Sequence, residues 1–158
     1  MKKGLSTARR AVLFFFALGF VAAPTIAAQN RAAVSAAEVN GTFRSNFKGR
    51  FKNSFNEIKI LALGRGRLKI SFELIYPYVT GNGELSANLG EAAGEATIVG
   101  DTAVYSSDEY GNCKITIKFV KPGLINVSQE GADADCGFGH NVTANGSYRK
   151  VNAAKPKF

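Results

Sequence analysis

The chain has 158 residues, 46% of them hydrophobic and 20% charged, with two cysteines, one histidine, no tryptophan and a formal net charge of +8. That length holds one domain at most. The apolar fraction excludes general disorder, and the cysteine count excludes a disulfide-framework miniprotein or a multi-cysteine zinc module.

Residues 1–28 read as a cleaved signal peptide. Lys2, Lys3, Arg9 and Arg10 precede a short apolar run over residues 11–23, Pro24 ends its helix, and Ala27 and Ala28 offer cleavage near Gln29. The expected product is periplasmic or secreted, with no membrane span in its mature form. Losing the signal leaves 16 basic side chains against 12 acidic, or +4. The remaining charge is segregated: residues 31–69 carry +7 and residues 70–135 carry −7. Cross-strand pairing is expected to bring these halves together and cancel much of the charge.

Residues 29–39 are expected to form a flexible, polar, Ala-rich lead-in, 40–152 a single β-barrel-like domain, and 153–158 a basic tail. Within the domain, period-two alternation recurs between Gly, Asn and Asp clusters, which predicts an all-β chain. The first strand is expected over residues 41–52, where Phe43, Phe47 and Phe51 alternate with Arg44, Lys48, Arg50 and Lys52. Strands over 57–63 and 67–78 follow, joined at Gly64-Arg65-Gly66, a sequence suited to positive φ in a tight hairpin. In the second of these, Leu68, Ile70, Phe72, Leu74 and Tyr76 share one face. Residues 84–99 place Gly90, Ala92, Gly94 and Ala96 on one side, which permits tight curling or close approach by another layer. Shorter strands are expected over 103–105, 113–120 and 124–129. A last run, 137–151, is split by an Asn145-Gly146 hairpin signal. Eight or nine short strands predict a small antiparallel β-barrel or a sandwich, with the barrel favoured because closure removes exposed edges.

Cys113 and Cys136 are expected to pair in an oxidising compartment, tying the start of the last run to an interior strand. No nucleophile motif or phosphate-cradling glycine pattern occurs, and His140, expected on a strand, is the single imidazole. The chain is therefore read as non-enzymatic, with no catalytic residue, cofactor or metal assigned. The compartment disfavours nucleic acid as a partner. Three candidate sites remain. Glu130, Asp133 and Asp135, with Ser147 and Tyr148, could contact a protein. Arg44, Lys48, Arg50 and Lys52 could contact anionic envelope polymers as one row on the first strand. Phe72, Tyr76, Ile117 and Phe119 could line a cavity for a small apolar ligand.

The segments 56–64, 94–98, 136–142 and 146–150, including Cys136-Gly137-Phe138-Gly139-His140 and Gly146-Ser147-Tyr148, resemble a group of secreted bacterial β-proteins without an established activity. The plan of signal peptide, short strands, one disulfide near the last strand and a terminal Gly-x-Tyr is also similar to periplasmic lysozyme-inhibitor barrels. The resemblance implies a binding protein of the bacterial envelope whose partner is a lysozyme or another envelope protein. The alternatives are a lipocalin-like carrier and a binder of anionic polymers.

Overall fold

In a computed structural model, which describes residues 33–158, alternating apolar positions produce eight strands. These are β1 (Gly41–Asn46), β2 (Phe55–Gly64), β3 (Arg67–Val79), β4 (Leu85–Val99), β5 (Thr102–Ser107), β6 (Cys113–Lys121), β7 (Leu124–Glu130) and β8 (Gly146–Asn152). Each pairs antiparallel with the next, and β8 returns to β1, so the sheet closes as an all-β, eight-stranded barrel. The signal-peptide assignment and the beginning of the lead-in lie outside the described residues.

Inward positions make the core. Phe43, Ile58, Ile60, Leu68, Ile70 and Phe72 come from one side of the barrel and Ile115, Ile117, Phe119 and Ile125 from the other, all at most 3% exposed. Phe43 meets Phe119 edge-on at 6.4 Å, and Phe72 meets Tyr105 at 5.4 Å. Outward positions are charged and paired across strands. Arg44 bonds Glu57, Lys59 bonds Glu73, Arg67 bonds Glu95 and Lys114 bonds Glu130. The Lys59–Glu73 and Arg67–Glu95 pairs join the basic half of the chain to the acidic half, as the segregated charge pattern predicts.

Both ends of the barrel are covered. At one end the lead-in forms a single helical turn, α1 (Ala36–Val39), started by a reciprocal cap: Glu38 N donates to Ser35 Oγ at 3.3 Å, and Ser35 N donates to the Glu38 carboxylate at 3.1 Å. Val39 is buried, and Lys150 Nζ reaches from β8 to donate to the carbonyls of Ala37, Glu38 and Asn40 at 2.7–2.9 Å. Those bonds satisfy oxygens at the C-terminal end of the turn. Burial pulls the Lys150 pKa below the usual lysine value, with Glu38 opposing.

The opposite end is covered by the long connection from β7 to β8. Expected here was a strand from residue 137; the structure has a short 3-10 turn (Ala134–Cys136) and then irregular chain up to β8. Phe138, Val142 and Ala144 are buried, but as a cap over the barrel mouth rather than as ladder residues. Gly90 on β4 makes room: a Cβ built there would lie 2.7 Å from Val142 and 2.9 Å from Phe138. The small-residue stripe thus serves the close approach of a second layer. His140 accordingly sits in an exposed turn, its carbonyl accepting from Asn88 Nδ2 at 2.7 Å.

The first strand is also shorter than its alternation suggests. β1 stops at Asn46, and Gly49, at φ +63°, turns the chain into a 3-10 segment (Gly49–Phe51). The left-handed conformation is one that glycine adopts without the Cβ penalty of other residues, so the strand ends where it can turn.

Candidate functional site

The capped mouth gathers the chain's acidic loops. Cys113 begins β6 and Cys136 ends the 3-10 turn, and their sulfurs are bonded with Cα atoms 4.6 Å apart. This bond ties the β7–β8 connection to the β5–β6 loop. Asp108 and Glu109 stand on one loop, Glu130, Asp133 and Asp135 on or beside the other. Between them lies an open cleft of about 640 Å³ lined by Asp108, Asn112, Lys114, Glu130 and Asp135 among others. Two of the carboxylates also shape their own loop. Asp135 accepts from Ala132 N at 2.8 Å, and Asp133 accepts from Asn141 N at 2.6 Å. Both donors are neutral backbone groups, so neither bond sets a cation against its carboxylate. Glu130 is held by Lys114 at 2.9 Å, an exposed pair worth no more than about 1 kcal/mol and therefore readily exchanged for a partner's cation.

Of the residues assigned to protein contact, Glu130 and Asp135 line this cleft, Asp133 lies on the same connection but is not among its lining residues, and the other two sit on β8. Ser147 is exposed on β8 and donates to Asn126 at 2.7 Å. Tyr148 is fully buried, and its hydroxyl donates to the Ala144 carbonyl at 3.0 Å. It is a core residue that anchors the cap, since the alternation Ser147, Tyr148, Arg149 turns it inward.

Burial raises the Tyr148 pKa from 10.0 to about 12, while the Asn56 amide acts in the opposite direction. A raised folded-state value means that the stability gained by keeping the phenol neutral is complete below the unfolded value of 10.0 and is lost as pH climbs through about 12. Across that window the wild type should lose roughly 2 kcal/mol that the Tyr148→Phe protein does not lose. Urea denaturation of both proteins on either side of the window measures the difference, and parallel pH profiles would refute it. At neutral pH the substitution should cost about 1 kcal/mol for the lost hydrogen bond.

The basic row is dispersed. Arg44 points outward from β1, its guanidinium bonded to Glu57 at 2.6 Å and stacked 3.9 Å over the Phe55 ring. Lys48, Arg50 and Lys52 lie on and beside the 3-10 segment instead of alternating along a strand. The apolar-ligand set is also divided. Phe72, Ile117 and Phe119 pack into the core at 1%, 0% and 3% exposure, whereas Tyr76 is 41% exposed at the capped mouth. β3 runs beyond the body of the barrel there, so its inward parity no longer meets a core.

Asp108 and Glu109 were not selected on sequence, because a turn rich in Asp and Ser reads only as a turn. A second cleft at the same mouth, of about 170 Å³, likewise gave no motif. It is built from short-range neighbours of four separate elements. Among the described residues no cluster of His, Cys, Asp and Glu has the arrangement of a metal site, and no helix is long and apolar enough to cross a membrane. Comparison with protein-family models, with curated proteins and with solved structures finds no match to the chain.

Proposed function

We propose that the protein is a secreted, non-enzymatic binding protein of the bacterial envelope that docks a basic protein partner, with a lysozyme the leading candidate. The observation that carries this reading is the acidic mouth: Asp108, Glu130 and Asp135 line an open cleft, Glu109 and Asp133 stand on the loops beside it, and one disulfide pins those loops together. Opposed fields speed encounter and fix orientation, and a loop already held in place loses little freedom when bound. The packed core supports binding through the surface over carriage in the interior.

The test is a lysozyme-activity titration with the purified protein at low and moderate salt, against several lysozyme classes. Dose-dependent inhibition that weakens with added salt is expected. Replacing Asp108, Glu109 and Glu130 together by lysine should abolish it and leave the fold intact, because none of these carboxylates bonds a backbone N–H of the loop. Unchanged rates at saturating protein, or equal inhibition by the triple variant, would overturn the reading.

A further inference from the structure

The second cleft lies between the end of β1, the start of β2, the far end of β3 and the cap. Its lining includes Phe47 and Tyr76, two aromatic rings, and the amides of Asn46, Asn56, Asn141 and Asn145. No charged side chain is among the lining residues. Four amides in one small neutral cleft are unusual for a surface otherwise laced with ion pairs.

The amides divide by role. Asn56 Oδ1 accepts from Ile75 N at 2.8 Å and Asn145 Oδ1 accepts from Gln129 N at 2.7 Å, so these two brace the walls. The side chains of Asn46 and Asn141 make no hydrogen bond among the described residues, and each offers one acceptor and two donors to the cleft. Asn141 is held in a left-handed conformation, φ +63°, with its N–H on Asp133. The turn before it is fixed by Gly139 N donating to the Leu89 carbonyl at 2.9 Å, and the chain after it by Ala144 N donating to Gln129 Oε1 at 3.0 Å. The wall is therefore rigid before any ligand arrives, which lowers the ordering cost of binding.

We infer that this cleft is a saccharide-binding site, taking one neutral pyranose ring of a glycan. A pyranose presents C–H faces and a rim of hydroxyls that each donate and accept. Exposed Tyr76 and half-buried Phe47 supply apolar faces, and free amides supply donors and acceptors without the desolvation cost of a charge. A charged ligand would find no counter-charge on these walls, and a purely apolar one would strand the amides. The site is separate from the acidic cleft and needs no lysozyme contact.

The experiment is a titration of isotope-labelled protein with tri-N-acetylglucosamine and, separately, maltotriose, followed by backbone amide shifts. Saturable shifts confined to Asn46, Phe47, Tyr76 and residues 141–145 are expected with at least one sugar. Tyr76→Ala should raise Kd roughly tenfold or more, Tyr76→Phe much less, and Asn141→Gly should weaken binding while keeping the positive φ. Co-sedimentation with purified peptidoglycan then separates a polymer-borne glycan from a free oligosaccharide, the same ring chemistry serving both. Absence of saturable shifts with either sugar, shifts centred elsewhere, or equal affinity in Tyr76→Ala and Asn141→Gly would overturn the assignment.

Discussion

Replacing Gly90 by valine is expected to destabilise the protein by about 3 kcal/mol and to lift the cap from the barrel mouth. The direction is set by space and not by backbone strain. Gly90 lies in the middle of β4, and valine is the better strand residue by propensity, so an isolated strand would gain from the change. Even the first added carbon, however, would sit 2.7 Å from Val142 Cγ1 and 2.9 Å from the Phe138 ring, and both neighbours are buried. Neither can move aside within the mouth, because the segment is tied to β4 by Gly139 N and Asn88 Nδ2. The variant should show a lower Tm, binding of an apolar dye and fast amide exchange confined to residues 137–144. Gly90→Ala is the milder form, and adding Val142→Ala to it should restore part of the loss, a coupling that a double-mutant cycle measures. Wild-type stability in Gly90→Val would mean that the cap does not pack on β4 as described.

Removing the disulfide is expected to cost about 3 kcal/mol, the effect of opening a loop with a sequence separation of 23 residues. Paired replacement of Cys113 and Cys136 by alanine tests this without placing two hydroxyls in a buried site, since both sulfurs lie in the core. The loss should be uneven. β6 keeps its ladders to β5 and β7, while the chain over 131–145 loses its covalent tie, so its exchange rates should rise first. The acidic carboxylates would then no longer share one rigid lip, and the lysozyme inhibition proposed above should accordingly be weaker in the double-alanine protein. Two free thiols in the unreduced, denatured wild type would remove the premise.

Over β3, Leu68, Ile70, Phe72 and Leu74 lie inward as their spacing implies, because a strand with one buried face has a single admissible register. Phe138, Val142 and Ala144 share one parity and are buried although His140 between them is exposed, and their backbone joins no ladder. Periodicity reports which side chains meet apolar surroundings, not whether the N–H groups have found a strand. Phe47 shows the converse: it extends the alternation of β1, but the turn at Gly49 takes the chain away first. The acidic lip was half legible, since Glu130, Asp133 and Asp135 are adjacent in sequence while their alignment with Asp108 depends on the Cys113–Cys136 bond. The amide cleft was not legible at all. Its walls come from β1, β2, β3 and the cap, and asparagine on β1, on β2 and in the cap reads as ordinary turn chemistry.

The pairing order of the strands also bears on how the chain can assemble. Seven of the eight pairings join strands consecutive in sequence, and the eighth joins Thr42 to Asn152 across almost the whole described chain. Loop-closure entropy is therefore modest at every step but one, and the seam between β1 and β8 is where the search for a distant partner is concentrated. Until the last strand is in place, β1 and β7 are bare edges open to pairing with another molecule. Arg149 and Lys150 are the residues that complete this seam, and Lys150 then reaches over α1. A chain truncated before β8 would lose more than one strand's contacts: it would remain an open sheet with two adhesive margins, prone to associate with its own copies.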